Sequence, residues 1–343
     1  MANSPSLGPV GPSLPGTTLE RHILDRQRAN PDATGDFTRL FQQISLAAKI
    51  IGSRVSRAGL SGVLGTTGKI NVQGEVVAKL DEFANNTLVS VVQSGGQVCV
   101  MGSEEVEEPI LIPSEYPCGK YVLQFDPLDG SGNIDINASI GTIFSIHKRV
   151  TPAGGPGTLE DLLQPGRDIV AAGYVIYGSS NMLVYSTGDG VHGFTYDPGI
   201  GEFFLSHENI RMPERGNTYS INEGNYHKWS PGVQAWVDWI KAPTDGRSAY
   251  GHRYIGAMVA DLHRTLLRGG IFVYPADKKN TRGKLRLLYE ASPMAFIVEA
   301  AGGMAHTGEE RVLDVVPKEL HQRTPLYIGS SRDVEDALRI AHD

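Results

Sequence analysis

The sequence predicts a layered α/β sandwich. Apolar residues recur at helical spacing early in the chain, short runs of β-branched and aromatic residues follow through the middle, and helical and strand patterns alternate in the last third. Each helix and each sheet has an apolar face that another layer must cover. We therefore expect the chain to stack helices against sheets.

The first elements are predicted to be helices. One helical apolar pattern covers residues 37–55, with Thr34 and Asp36 as candidate caps, and a second covers residues 76–93. The stretch between them, residues 58–69, contains four glycines. It is either a mobile connector or a loop that closes over a site, and the usual behaviour of loops favours the connector.

The later elements are strands, followed by an alternation of helices and strands. Predicted strands in the middle of the chain cover residues 98–101, 121–125, 142–147, 170–177, 182–186, 192–196 and 203–205. In the last third, helices are predicted at residues 229–240, 255–267, 293–301 and 332–341, and strands at residues 271–274 and 326–328. A lobe boundary is predicted near residues 206–215.

Composition and charge exclude several classes of function. The 343 residues include 31 Lys and Arg against 38 Asp and Glu, which gives a net charge of −7. No apolar stretch is long enough to span a membrane. The mild acidity argues against nucleic acid as the main partner, but a few local cations could still bind a small anionic substrate.

The N-terminus and the cysteines indicate a compartment. Residues 1–16 contain four prolines and three glycines and predict a disordered arm, without the basic and apolar regions of a secretory signal. The two cysteines, Cys99 and Cys118, cannot form a disulfide framework and fit a reducing compartment. We therefore expect a cytoplasmic protein.

The densest chemical signal is acidic. Glu104 and Glu105 follow one predicted strand, and Asp126 and Asp129 follow the next. Carboxylates at adjacent strand ends repel one another unless a hard cation neutralises them, and Mg²⁺ or Mn²⁺ prefers such oxygen ligands. Either motif alone is more simply a solvated turn, but the two together favour a metal site.

Pro127 is predicted to end the second of these strands, because proline has no N–H to donate to a strand ladder. The turn that follows could bring Asp126, Asp129 and the Leu128 carbonyl around one point. Glu290, which follows an apolar run, could add a further acid.

A second signal is cationic and polar. Glycine-punctuated turns late in the chain carry Asn222, Arg253, Tyr254, Tyr274, Lys284 and Arg286. Arginine and lysine beside tyrosine and asparagine suit a phosphate on a hydroxylated carbon skeleton, although each turn alone is more often an ordinary surface turn.

The motif FDPLDGSGNID at residues 125–135, preceded by SEE and followed by SIGTIFSIHKR, resembles class I fructose-1,6-bisphosphatase. The likeness covers roughly residues 34–340 in ordered blocks, including residues 163–179, 197–203, 222–224, 253–276 and 283–305. The resemblance implies a five-layer α/β/α/β/α sandwich and a homotetramer. It also implies a lobe at residues 17–208 with the metal site and an AMP-type pocket, and a sugar-bisphosphate-binding lobe at residues 209–343.

The resemblance implies two groups of residues at the reacting phosphate. The implied metal ligands are Glu104, Asp126, the Leu128 carbonyl, Asp129 and Glu290. Positions that help to activate the attacking water correspond to Asp81 and Glu105, and Glu75 corresponds to a further catalytic position on a loop. Positions beside the 1-phosphate correspond to Asp129, Gly130, Ser131 and Gly132.

The resemblance implies two further sites. Sugar and 6-phosphate contacts correspond to Asn222, Tyr254, Tyr274, Lys284 and Arg286, with Arg253 supplied by a neighbouring subunit. An allosteric AMP pocket corresponds to Asp36, Thr38, Lys120, Tyr121 and Lys148.

Several positions depart from the family pattern. Glu75 stands where an aspartate on a dynamic loop is usual, Leu64 where some members have tyrosine, and Gly132 where a second serine is common. In the AMP pocket, Asp36 replaces glutamate and Lys148 replaces arginine. Lysine cannot form the bidentate phosphate contact of arginine, so AMP binding is expected to be weaker.

The resulting prediction is hydrolysis of the 1-phosphate of fructose 1,6-bisphosphate, in gluconeogenesis or the Calvin cycle, with two or more Mg²⁺ ions or Mn²⁺ as a substitute. Sedoheptulose-1,7-bisphosphatase remains an alternative, because it needs only a longer sugar slot. An inositol-phosphate phosphatase would leave the cationic turns unexplained. The acidic set argues against a non-enzymatic AMP-sensing scaffold.

Overall fold

The computed structural model describes residues 16–28, 35–60, 65–70, 76–243 and 246–342. In these ranges the α-helices are α1 (Leu19–Gln27), α2 (Asp36–Val55), α3 (Lys79–Gln93), α4 (Leu159–Leu162), α5 (Pro231–Lys241), α6 (Met258–Arg268), α7 (Ser292–Ala300) and α8 (Ser331–His342). A π-helical segment, Leu287–Ala291, leads into α7. Among the described helices, none is long and apolar enough to cross a membrane.

The strands belong to two large sheets and two small ones. They are β1 (Thr66–Ile70), β2 (Val76–Ala78), β3 (Val98–Ser103), β4 (Ile110–Leu111), β5 (Tyr121–Asp129), β6 (Ile140–Lys148), β7 (Ile169–Tyr177), β8 (Asn181–Ser186), β9 (Val191–Asp197), β10 (Glu202–Ile210), β11 (Thr218–Ser220), β12 (Gly251–His252), β13 (Ile271–Tyr274), β14 (Leu285–Arg286), β15 (Met304–His306), β16 (Arg323–Thr324) and β17 (Leu326–Gly329).

The larger sheet has eight strands in the order β10-β9-β8-β7-β6-β5-β3-β4, and it is antiparallel except for the parallel pair β3–β5. The smaller sheet has the order β12-β11-β13-β17-β15, in which β11 runs parallel to both β12 and β13. Two-stranded sheets pair β1 with β2 and β14 with β16.

Three apolar cores define the order of the layers. Helices α1 to α3 cover one face of the larger sheet, where Phe41 of α2 packs edge-on against Phe144 of β6. Helices α6 and α7 lie between the two sheets, and Leu262 shares this core with Phe272 of β13. Helices α5 and α8 cover the outer face of the smaller sheet around Trp236. The predicted five-layer α/β/α/β/α sandwich is confirmed.

The predicted strands in the middle of the chain all lie within strands of the structure. The prediction for the second helix was wrong at its start, because residues 76–78 form β2 and α3 begins only at Lys79. The glycine-rich stretch is not simply a connector, since part of it forms β1 and pairs with β2. This pairing partner lies beyond the stretch itself, so the local pattern did not reveal it.

The predicted caps of α2 also need correction. Asp36 is the first helical residue, and the N-cap position is taken by Gly35 in the left-handed region (φ 81°) without a capping side chain. Glycine is favoured there because a side chain would strain this backbone conformation. Thr34, Leu64, Glu75 and the predicted arm up to residue 15 lie outside the described residues.

Candidate active site

A β-bulge places two of the predicted acids on one side of the sheet. Asp126 pairs with Ile143 and Asp129 with Gly141, so three steps along β5 face two steps along β6. Side chains three residues apart in a regular strand point to opposite faces of the sheet. The extra residue of a bulge shifts this alternation by one, so that both side chains can point to the same face. Asp126 and Asp129 can therefore both contribute to one site.

The prediction that the chain leaves the sheet at Pro127 was wrong. Strand β5 continues through Pro127 to Asp129, and the bulge contains the proline that lacks a ladder N–H. The Pro127 carbonyl accepts a hydrogen bond from Thr142 Oγ1 at 2.8 Å, and the Leu128 N–H donates to Asp126 Oδ1 at 2.9 Å. Local side-chain bonds thus replace the ladder contacts that the bulge interrupts.

Glu290 completes a buried cluster of three carboxylates. Three carboxylate oxygens lie within 4.8 Å of one another, one each from Asp126, Asp129 and Glu290, and all three residues are buried. Glu290 lies in the π-helical segment, and its Oε2 accepts a hydrogen bond from the Arg286 N–H. π-Helical turns are frequent at functional sites because they shift the direction of a side chain.

Burial and mutual repulsion make this cluster electrostatically unfavourable when it is ionised. Burial raises the pKa of Asp129 to about 6 and that of Glu290 to about 8. Burial, and then the nearby Glu104, Asp129 and Glu290 charges, raise the pKa of Asp126 well above its usual value. A cation would relieve both effects, and an all-oxygen donor set suits a hard divalent ion. The cluster can therefore hold a metal.

Glu104 lies beside this cluster and pairs with Arg286. Glu104 directly follows β3, which runs parallel to β5 with Ser103 opposite Phe125. The end of β3 therefore meets β5 just before Asp126, while β5 itself continues to Asp129. Arg286 Nη2 lies 2.6 Å from Glu104 Oε1, and both side chains are largely buried. Arg286, predicted as a sugar-phosphate contact, thus directly contacts a predicted metal ligand.

The turn after Asp129 packs against the start of α6. Gly130 has a φ of 82°, and a Cβ atom built on it would lie 2.4 Å from the Ala257 side chain, so only glycine fits. Ser131 and Gly132 continue this turn and line the same cavity as the carboxylates.

The cavity also contains most of the predicted sugar and phosphate contacts. Its volume is about 290 Å³. Among the predicted residues, its walls include Glu104, Glu105, Asp126, Leu128, Asp129, Gly130, Ser131, Gly132, Tyr254, Tyr274, Lys284, Arg286 and Glu290. The structure therefore brings the acidic signal and the cationic signal of the sequence together at one site.

Three predicted active-site residues that the structure describes do not line the cavity. Asn222 is a hydrogen-bond partner of the Tyr254 hydroxyl. Arg253 is exposed, and its guanidinium donates to the His252 carbonyl at 2.7 Å. Asp81 is buried in the first turn of α3, where its Oδ2 accepts from the Ala78 N–H at 3.2 Å.

Both halves of the chain match one protein family. Residues 17–208 match the family described as Fructose-1-6-bisphosphatase, N-terminal domain, and residues 212–342 match Fructose-1-6-bisphosphatase, C-terminal domain. The chain belongs to the fructose-1,6-bisphosphatase family. The resemblance identified in the sequence is thereby confirmed.

Similar members of the fructose-1,6-bisphosphatase family span nearly the whole chain. The protein named "Fructose-1,6-bisphosphatase class 1" of Sorangium cellulosum (strain So ce56) is 59% identical over 96% of this chain and 94% of its own length. The protein of the same name from Chloroherpeton thalassium (strain ATCC 35110 / GB-78) is 57% identical over 93% of this chain and 92% of its own length.

Solved structures of the fructose-1,6-bisphosphatase family show the same fold. The Leishmania major enzyme in holo form is 44% identical, with a TM-score of 0.89 over 96% of this chain and all of that chain. The same enzyme in the T-state is also 44% identical, with a TM-score of 0.85 over 95% of this chain and 99% of that one.

The residues predicted to form an AMP pocket lie around the start of α2 and the adjoining ends of β5 and β6. Lys120 Nζ pairs with Asp36 Oδ2 at 3.0 Å, and Thr38 Oγ1 donates to Gln27 Oε1 at 2.6 Å. Tyr121 is the cross-strand partner of Lys148. The structure thus connects α1, α2 and the β5–β6 pair at this point, far along β5 from the carboxylate cluster.

Sequence reasoning missed several residues of the site. Met258, Phe272 and Leu285 line the cavity with apolar surface, and Gly256 lines it next to Tyr254. Apolar residues in such patterns are usually core residues, so nothing in their spacing indicated this position. The Val259 N–H, which donates to Asp129 Oδ2 at 2.7 Å, is a backbone group and leaves no signal in the residue type.

Proposed function

We propose that this chain hydrolyses fructose 1,6-bisphosphate to fructose 6-phosphate and inorganic phosphate. The observation that carries the proposal is one cavity lined by the three clustered carboxylates and by Lys284, Tyr254 and Tyr274. The names of relatives at 59% and 57% identity support the choice of substrate. The acidic part of the cavity suits a metal-bound phosphate, and the cationic part suits a second one.

We propose Mg²⁺ as the metal, with Mn²⁺ as a substitute and two or more ions per site. Asp126, Asp129 and Glu290 would hold it, with Glu104 and the Leu128 carbonyl as further ligands. When bound, the metal would neutralise the charge on the transferring phosphoryl group and on its leaving oxygen.

The chain's own residues orient the 1-phosphate and the attacking water. In our proposal the turn of Gly130, Ser131 and Gly132 receives the 1-phosphate, and the carboxylates of Glu105 and Asp81 help to remove a proton from water, with Glu75 as a further catalytic residue. The water oxygen attacks phosphorus while the phosphorus–O1 bond breaks, and the departing sugar oxygen takes up a proton. Glu105 lines the cavity, which supports its role.

The other side chains would distinguish a bisphosphate from a monophosphate. Lys284 and Arg286 provide positive charge, while Tyr254, Tyr274 and Asn222 provide hydroxyl and amide groups for the sugar and the 6-phosphate. Binding energy from the distal phosphate can fix C1 at the reacting centre. Glu104 would keep part of the Arg286 charge engaged, since the two are paired.

Assembly and regulation follow the same proposal. Arg253 is exposed and does not line its own cavity, which supports a role at the site of a neighbouring subunit in a homotetramer. The cluster of Asp36, Thr38, Lys120, Tyr121 and Lys148 supports an AMP pocket of reduced affinity.

The free cysteines Cys99 and Cys118 support a cytoplasmic location. Residues 17–208 and 209–343 would then be the metal-site lobe and the sugar-binding lobe.

A phosphate-release assay tests the proposed reaction. Fructose 1,6-bisphosphate should release one phosphate per molecule in the presence of Mg²⁺, and EDTA should abolish the release. Fructose 6-phosphate is the matched control, because it lacks the phosphate on C1. Sedoheptulose 1,7-bisphosphate in the same assay measures the alternative specificity. Equal release from fructose 6-phosphate, or release that is insensitive to EDTA, would contradict the proposal.

A further inference from the structure

Asp261 is a buried carboxylate that holds the backbone of the Tyr254 loop, residues 253–257 between β12 and α6. It lies in α6, its side chain is fully inaccessible, and it does not line the cavity. Its Oδ2 accepts hydrogen bonds from the Ile255 N–H at 3.0 Å and the Gly256 N–H at 3.3 Å. Two successive backbone donors on one carboxylate oxygen fix the direction of the chain as it leaves Tyr254.

Arg264 connects this carboxylate to the smaller sheet. Arg264 Nη1 lies 3.4 Å from Asp261 Oδ1, one helical turn along α6. Arg264 Nη2 donates to Ser220 Oγ at 2.5 Å, and Ser220 is fully buried in β11. Because Ser220 lies two residues before Asn222, the connection reaches the segment that supplies the hydrogen-bond partner of Tyr254.

The same loop is held at other points by both halves of the chain. The Arg253 N–H donates to the Tyr219 carbonyl at 2.9 Å, which fixes the start of the loop to β11. Asn133 Nδ2, from the turn beside the carboxylates, donates to the Ile255 carbonyl at 3.3 Å. Ile255 is therefore held through its N–H by Asp261 and through its carbonyl by the metal-site turn.

Helix α6 completes the connection to the carboxylate cluster. The Val259 N–H in its first turn donates to Asp129 Oδ2, two residues before Asp261 in the chain. One helical turn thus contacts a metal-binding carboxylate through its backbone and the Tyr254 loop through a side chain.

We propose that Asp261 is a positioning residue that sets the Tyr254 loop relative to the metal site and thereby determines affinity for the phosphate distal to the metal. This inference deepens the proposed function and rests on it. Asp261 contacts no substrate, and its effect is transmitted through Ile255 and Gly256. Its loss should therefore affect recognition of a bisphosphate more than the chemical step.

Asp261→Asn is the most direct test, because it preserves shape and removes one anionic acceptor. An asparagine side chain has one oxygen, so it cannot accept both from the loop N–H groups and from Arg264. We expect KM for fructose 1,6-bisphosphate to rise about tenfold with kcat changed less than about threefold, as for loss of one charge-assisted hydrogen bond. Turnover of fructose 1-phosphate, which lacks the distal phosphate, should keep its kcat/KM.

Asp333→Asn is the matched control. Asp333 is also a buried aspartate in the second half of the chain, with a backbone N–H donor (Gly216), an arginine (Arg215) and Tyr250 as partners. It does not line the cavity. General destabilisation of this half would make the two variants alike, whereas the positioning role predicts a raised KM only for Asp261→Asn.

The possible outcomes separate the two proposals. Unchanged KM for the bisphosphate, equal losses on both substrates, or the same effect in Asp333→Asn would overturn the positioning role. A wild-type chain that does not favour the bisphosphate over fructose 1-phosphate would overturn the proposed function itself. If Asp261→Asn does not fold, Arg264→Met breaks the connection to Ser220 and should raise KM for the bisphosphate alone. Failure to do so would reject the inference.

Discussion

The Val259 backbone N–H donates a hydrogen bond of 2.7 Å to Asp129 Oδ2. The donor belongs to the first turn of α6, between the two sheets, and the acceptor ends a strand of the larger sheet. The partial positive charge of a helix N-terminus favours an ionised carboxylate. Hydrogen bonds from the Val259 and Met258 N–H groups lower the pKa of Asp129 and partly offset the effect of its burial.

Asp126→Asn should abolish activity without unfolding the protein. The amide is a weaker, neutral ligand, and its introduction also removes one of several mutually repelling buried charges. We expect kcat to fall by at least about a hundredfold, while the melting temperature in EDTA stays the same or rises. Asp238→Asn is the control, because Asp238 is exposed on α5. A clear fall in melting temperature would show that Asp126 has a structural role instead.

Lys284→Ala should chiefly raise KM for fructose 1,6-bisphosphate. A hydrogen bond to a charged group contributes about 1.5–3 kcal/mol, which corresponds to an increase of roughly ten- to a hundredfold. Lys279→Ala provides a control in the same region, since Lys279 is exposed and does not line the cavity. Steady-state kinetics with an unchanged KM for Lys284→Ala would reject the assignment.

Arg253→Ala and Asp126→Asn chains should complement each other in mixed oligomers. If Arg253 serves a neighbouring subunit, some sites in a mixture combine an intact carboxylate cluster with an intact arginine. Activity after subunit exchange should therefore exceed the sum of the separate variants. Native mass spectrometry would verify mixing, and a fully mixed but inactive population would show that each site is built from one chain.

Lys148→Arg should strengthen AMP binding. A guanidinium can contact a phosphate through two parallel hydrogen bonds, whereas the ammonium group acts as a point charge. We expect the dissociation constant for AMP to fall about five- to thirtyfold, from a gain of about 1–2 kcal/mol. Calorimetry measures this directly and separates binding from inhibition. An unaltered constant would mean that residue 148 does not contact the nucleotide phosphate.

His22→Asn should reduce the acid sensitivity of the fold. Burial, then the nearby His192 and Arg26, lower the pKa of His22 to about 3, while Glu208 and Asp25 act in the opposite direction. The His22 imidazole therefore binds a proton less readily in the folded state than in the unfolded state. Its contribution to the free energy of unfolding is present at neutral pH and is lost as the pH falls below about 6.5 towards 3.

The stability of His22→Asn should be measured by urea unfolding between pH 7 and pH 5. The variant should reduce the slope of the unfolding free energy against pH by up to about 1.4 kcal/mol per pH unit, the value for one proton. His227→Asn is the control, because His227 is exposed. An identical slope in the His22 variant and in the wild type would contradict the assignment of acid sensitivity to this residue.

Much of the acidic site could be predicted from the sequence, because strand ends and carboxylates leave a local signal. Glu104 and Asp126 each follow an apolar run, and the parallel pairing of those runs brings them together. The route of the chain through Pro127 could not be predicted, because a bulge depends on the partner strand and on Thr142 as a hydrogen-bond donor.

Other parts of the site depend on contacts that have no local pattern. The π-helical segment that carries Glu290 has an apolar sequence that fits a strand, a helix or a core equally well. An aspartate such as Asp261 within an amphipathic helix usually faces solvent, so its burial emerges only from the packing of α6 between the sheets. The sugar-side residues had a cationic and polar signal that suits a phosphate, but only the family resemblance assigned them individual roles, since each turn alone is more often an ordinary surface turn.

The position of α6 also limits how motion can affect the site. This helix packs against β6 and β7 of the larger sheet and against β13 and β17 of the smaller one. If one sheet rotated against the other about the first turn of α6, residues at the cavity would be displaced very little, because they lie close to the pivot. Such a rotation would leave the spacing between the metal carboxylates and the Tyr254 loop almost constant while moving distant surfaces much further. A translation of one sheet relative to the other along the axis of α6, in contrast, would increase the distance between the metal carboxylates and the Tyr254 loop.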